Sequence, residues 1–74
     1  MKIDLYVTEK CIPCVHILAY LDQYGISDKV NILVDSYHPL VSSHPSIVFN
    51  GASIIKGVEA IENFLAVHFV PKEV

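Results

Sequence analysis

The segment Cys11-Ile12-Pro13-Cys14 holds both cysteines of the chain, and that spacing restricts what they can do. A disulfide closing so small a loop constrains the unfolded chain very little, so a structural staple is a poor reading. Outside an exported framework, C-x-x-C reads as redox or metal chemistry. The thiolate is the reactive form in both cases. A zinc site needs four donors, and C-x-x-C supplies two, leaving His16, His38, His44 and His68 to complete it. There is no second C-x-x-C, and the five residues between His38 and His44 make a slightly long spacing. Redox chemistry is therefore the main reading. A zinc-binding module is the alternative, and inert buried thiols are the third possibility. Lys10 favours a thiolate at Cys11 through its charge, and Glu9 opposes it.

The flanking sequence must position this pair. Residues 2–8 alternate apolar and polar side chains, the pattern of a half-buried strand. On that strand Asp4 belongs to the solvated polar face, and Tyr6 packs near the site. After the cysteines, Val15, Leu18, Ala19 and Leu21 lie largely along one side of a helix that Gly25 ends, with His16 on its surface. A strand running into C-x-x-C at a helix N-terminus is chemically sensible, because the free amides and the positive dipole end favour a thiolate. Cys11 is then outermost. Cys14 lies about one turn in, placed to attack its neighbour's sulfur.

Residues 29–34 read as a second strand, and 35–45 as a loop with room for one helical turn from Pro39. Asn50-Gly51 between apolar runs predicts a hairpin on a two-residue type I′ turn. Gly57 closes the hairpin. A last helix over 58–69 follows, with Ile61, Phe64, Leu65 and His68 as its stripe and Pro71 beyond its end. The order β-α-β-loop-β-β-α implies one α/β domain over residues 1–74 with a four-stranded mixed sheet. If the second and third strands flank the first, the loop crosses two strand spacings, about 10 Å. The nine residues 36–44 can reach roughly 30 Å. The crossing brings His44-Pro45 to the edge where Cys11 lies.

These features together resemble the thioredoxin/glutaredoxin superfamily, and most closely its small glutaredoxin-like members. The resemblance is carried by Leu5-Tyr6-Val7 leading to Cys11-Ile12-Pro13-Cys14, Pro45 opening the third strand, Phe49-Asn50-Gly51 in the hairpin, and Gly57 before the last helix. It implies a thioredoxin-like fold with a shortened or missing middle helix. It also implies a cis peptide at Pro45 packed on the cysteine pair, Cys11 as the attacking thiol, and Cys14 as the resolving one. A cis bond is inexpensive only before proline, and a proline starting a strand has no ladder donor to lose. Pro13 sits as in thioredoxins, but Lys10 replaces their tryptophan, and His44 stands where the family usually carries Val, Thr or Ile. Placed there, a protonated His44 stabilises the Cys11 thiolate and makes the pair more oxidising. Glutaredoxins carry a Gly-Gly pair and an acidic residue toward glutathione; here Gly57 and Glu59 stand in that region. Without the middle helix, one sheet face stays bare unless Tyr37, Leu40 and Val41 fold over it, and a bare face suggests a homodimer or a docked enzyme.

Composition narrows the partners. The chain is 53% hydrophobic, 18% charged and carries a net charge of −3, which argues against disorder. No basic cluster recommends nucleic acid or an anionic membrane, and no apolar run reaches the ~20 residues of a membrane span. The early strand pattern leaves no room for a signal peptide, so a cytoplasmic location is expected. The predicted activity is thiol-disulfide exchange on protein or glutathione-mixed disulfides, with no cofactor beyond the Cys11–Cys14 couple. The couple is regenerated by glutathione, as a possible co-substrate, or by a thioredoxin-reductase-like enzyme. Among family substrates, ribonucleotide reductase is one candidate electron acceptor. The third reading is a partner-docking module with incidental cysteines.

Overall fold

A computed structural model describes residues 2–69; Pro71 therefore lies outside the described residues. The element order is β1 (Ile3–Val7), α1 (Ile12–Gln23), a 3-10 turn (Ser27–Lys29), β2 (Asn31–Val34), β3 (Ser46–Phe49), β4 (Ser53–Lys56) and α2 (Val58–Phe69). The sheet order is β2-β1-β3-β4. β1 runs parallel to β2 with Leu5 opposite Ile32, and antiparallel to β3 with Leu5 opposite Ile47. β3 and β4 form the hairpin. The chain is thus a small α/β domain with a four-stranded mixed sheet and two helices.

Side chains on strands alternate between faces, so the registers assign each one. Ile3, Leu5, Val7 and Ile47 form a single core with Cys14, Ile17 and Leu21 of α1 and Ile61 and Leu65 of α2. Both helices therefore lie on one side of the sheet. The buried face of α1 is Cys14, Ile17 and Leu21, while Val15 and Ala19 are exposed. This corrects the stripe expected through Val15 and Ala19. The helix is rotated so that the second cysteine itself is core.

The opposite face carries Asp4 and Tyr6 of β1 with Ser46 and Val48 of β3. All four are buried, and so is every residue of β1. The half-buried strand is therefore wrong, and so is a solvated Asp4. β1 is an interior strand, and residues 35–45 cross this second face. The covering is not made as expected: Tyr37 is 87% and Leu40 43% exposed, and Val41 is half-buried. Instead the His38 ring meets Tyr6 edge-on at 5.6 Å. The connection contains a reverse turn in which the Val41 amide donates to the His38 carbonyl at 3.0 Å, with Pro39 at its second position. No helix forms there.

Two local stops behave as their residues demand. Gly25 has φ 65°, with its amide donating to Asp22 and the Ile26 amide donating to Leu21. Buried Ile26 and Leu21 complete this Schellman cap. In the hairpin Asn50 and Gly51 both have positive φ, as a type I′ turn requires. However, Phe49 pairs with Ser53 rather than Ala52, so the loop is three residues long. Asn50 is held back toward β1 by exchanging bonds with Lys2: its amide donates to the Lys2 carbonyl at 2.7 Å, and its Oδ1 accepts the Lys2 amide at 2.8 Å.

Candidate functional site

Cys11 and Cys14 are joined by a disulfide, with their Cα atoms 5.2 Å apart. The local geometry follows from the helix start. Cys11 is the extended N-cap of α1, and Pro13 falls in the first turn, where a missing amide costs nothing. The Cys14 amide donates to Cys11 Sγ at 3.1 Å, and the Val15 amide donates to the Cys11 carbonyl at 3.1 Å. The sulfur at position 11 therefore occupies the place of a capping oxygen. Cys14 is 1% exposed while Cys11 is half-buried, the inner and outer positions that the spacing predicts. Ile12 and Pro13 between them are exposed.

The crossing loop reaches this corner. The His44-Pro45 peptide is cis, Pro45 is buried, and the His44 carbonyl oxygen lies 3.9 Å from Cys11 Sγ. The loop exit is fixed by the Ser46 hydroxyl, which donates to the Ser43 carbonyl at 2.6 Å. Gly57, at φ 94°, donates its amide to the Pro45 carbonyl at 3.4 Å, and its own carbonyl accepts the Ile61 amide. Cys11, His44, Pro45 and Gly57 are thus brought together, although they are far apart in the chain. Lys10 and Glu9 are both exposed beside Cys11, and Glu59 is exposed in the first turn of α2. His44 is half-buried, and its Nε2 is enclosed with no hydrogen-bond partner among the described residues.

Asp4 is not at this site. It lies on the sheet face opposite the helices, with Oδ1 accepting from Asn31 Nδ2 at 3.2 Å and Oδ2 3.8 Å from Lys2 Nζ. The side-chain parity of β1 sends position 4 away from α1, so Asp4 cannot serve Cys14 as a proton acceptor. The candidate zinc histidines are also dispersed. His16 is exposed on α1, His38 packs on Tyr6, and His68 lies against Phe64 with ring centroids 4.4 Å apart. Among the described residues no three His, Cys, Asp or Glu side chains gather as a metal-binding group, and no helix is long and apolar enough to cross a membrane.

An open cleft of about 390 Å³ is lined by Lys2, Asp4, Asp28, Lys29 and Asn31. It lies where β1 and β2 begin, at the end of the sheet away from Cys11. An attacking sulfur needs local exposure and a polarising neighbour more than it needs a cavity, and Cys11 has both. Sequence reasoning counted His38 only among the possible zinc donors and missed its place in the turn, where its Nδ1 accepts the Leu40 amide at 3.1 Å. The signal was present in the His-Pro pair, since an acceptor side chain opening a proline turn can bond the amide two residues on. The chain matches no protein-family model, and neither a curated protein nor a solved structure gives a significant match.

Proposed function

We propose that this chain is a thioredoxin/glutaredoxin-like thiol-disulfide oxidoreductase that works in a reducing compartment such as the cytoplasm. The reading is carried by one observation: the Cys11–Cys14 disulfide caps α1 with the outer sulfur half-exposed and held by a backbone amide. The same amide and helix end that hold the disulfide stabilise negative charge on Cys11 after reduction.

An external thiol reductant, glutathione or a reductase dithiol, delivers two electrons and two protons to open the Cys11–Cys14 bond. The Cys11 thiolate attacks one sulfur of a substrate disulfide; a mixed disulfide forms and the first substrate thiolate leaves, taking a proton from solvent. Cys14, buried one turn in, loses its proton and attacks Cys11 Sγ. The second substrate thiol leaves and the intramolecular disulfide returns. Pro45 and the backbone around His44 line the approach to Cys11, and Lys10 adds positive charge at its rim.

Thiol alkylation read by mass across a dithiothreitol redox series tests this. A reversible two-electron transition is expected, near about −270 mV for thioredoxin-like behaviour or roughly −200 to −230 mV for glutaredoxin-like behaviour. Failure to form the intramolecular disulfide at any poise overturns the reading.

A further inference from the structure

His38 stands at the corner of the connection between β2 and β3, and three interactions meet on it. Its Nδ1 accepts the Leu40 amide at 3.1 Å, its carbonyl accepts the Val41 amide at 3.0 Å, and its ring lies edge-on to Tyr6. Tyr6 is 6% exposed in the middle of the sheet, so this contact pins the turn to a rigid element. Residues 35–45 contain no helix or strand of their own. Six residues after His38, the His44 carbonyl lies 3.9 Å from Cys11 Sγ. Few bonds hold the connection in place, and His38 supplies two of the acceptors.

We propose that His38 is a positioning residue for exchange at Cys11. In its neutral form it closes the 38–41 turn on Tyr6 and so holds His44-Pro45 against the reactive sulfur. The inference rests on the oxidoreductase reading above. Its chemistry is specific to imidazole. Nδ1 can accept the Leu40 amide only with its lone pair free, and a proton there turns the acceptor into a donor facing a donor. A protonated His38 therefore cannot close the turn, and acid is the condition that separates it from a side chain with a permanent acceptor. Tyr6 is the ring's aromatic neighbour; Asp4 on β1 and Lys56 on β4 share its sheet face by register, and Asp35, Tyr37 and His44 lie on the loop itself. Asp4 already holds Asn31 and Lys2.

Oxidation of the reduced protein by dithiodipyridine, followed by released thiopyridone across the acid-to-neutral range, reads the effect. Cys11 displaces one thiopyridone and Cys14 the second, so electrons balance within the pair. His38→Ala is expected to slow the reaction about three- to tenfold at neutral pH, the worth of one hydrogen bond. His38→Asn offers an oxygen that accepts the same amide at every pH; it should stay within about twofold of the parent at neutral pH and outpace it in acid by about the His38→Ala factor. The Leu40 amide shift should follow the His38 ring signals in the parent and stay fixed in His38→Asn. A parent-to-His38→Asn rate ratio that is flat with pH overturns the positioning role, even if His38→Ala does not fold. If the reagent produces no intramolecular disulfide in any variant, the oxidoreductase reading itself fails.

Discussion

Cys11 and Cys14 differ in exposure and in partners, and under the proposed exchange that difference gives them different roles. The outer sulfur accepts an amide bond and faces the loop carbonyl; the inner one is enclosed by the core. Cys14→Ser should therefore accumulate a mixed disulfide through Cys11, detectable as a mass adduct. Cys11→Ser should form none and lose at least about a thousandfold in exchange rate, as removal of a nucleophile does elsewhere. Adducts on Cys14 in the second variant would reverse the assignment. The inner and outer placement of the cysteines was legible in sequence because C-x-x-C at a helix start sets them one turn apart. Asp4 and His38 were not, for a shared reason. The burial of Asp4 and the contact of His38 with Tyr6 depend on a loop crossing the sheet, which no local pattern encodes. Asn50 lies between these cases. Its type announced the left-handed turn, but its bonds to Lys2 depend on β1 lying beside it. Asn50→Ala should lower stability by about 1–2 kcal/mol through the lost side-chain bond and the positive φ. Urea melts should show Asn50→Gly recovering part of that loss.

Helix ends and the hairpin turn were readable because their causes are local: an αL glycine, an Asn-Gly pair, a strand running straight into C-x-x-C. Gly25 allows a clean test, since a Cβ added there would meet no atom within 4 Å. The cost of Gly25→Ala is therefore conformational alone, about 1 kcal/mol, and should appear as a lower urea midpoint with an unchanged slope. A loss several times larger would mean that the Schellman bonds had broken as well. Packing choices were less readable. The stripe on α1 was drawn through Val15 and Ala19, yet Val15 is 59% exposed while Ile17 is fully buried. The helix is set by Cys14 entering the core, and a cysteine carries too little apolar weight in a sequence pattern to announce that. The hairpin gained a loop residue for a similar reason, because pairing Ile47 with Ile55 keeps both on the helix side.

For the whole molecule the margin is narrow. A domain of this size holds about 4–11 kcal/mol, and Ile17→Ala in its single core should remove about 2–5 kcal/mol of it. The two helices share one face of the sheet, and Tyr20 of α1 lies in the field of Glu62 on α2. Partial burial first, then the charges of Tyr24 and Glu62, raise its phenol above the ordinary value of 10.0. The folded state therefore resists ionising a group that the unfolded chain ionises freely. The sign follows from linkage: the contribution is fully present below the unfolded value and is lost as pH rises through the folded one. Stability should thus decline above about pH 10. Lysines and other tyrosines also titrate there, so the informative quantity is the difference from Tyr20→Phe, which cannot ionise at that position. Urea midpoints measured on both sides of pH 10 should fall more steeply for the parent than for Tyr20→Phe. Equal slopes would show that the packing of α1 against α2 imposes no cost on the phenolate.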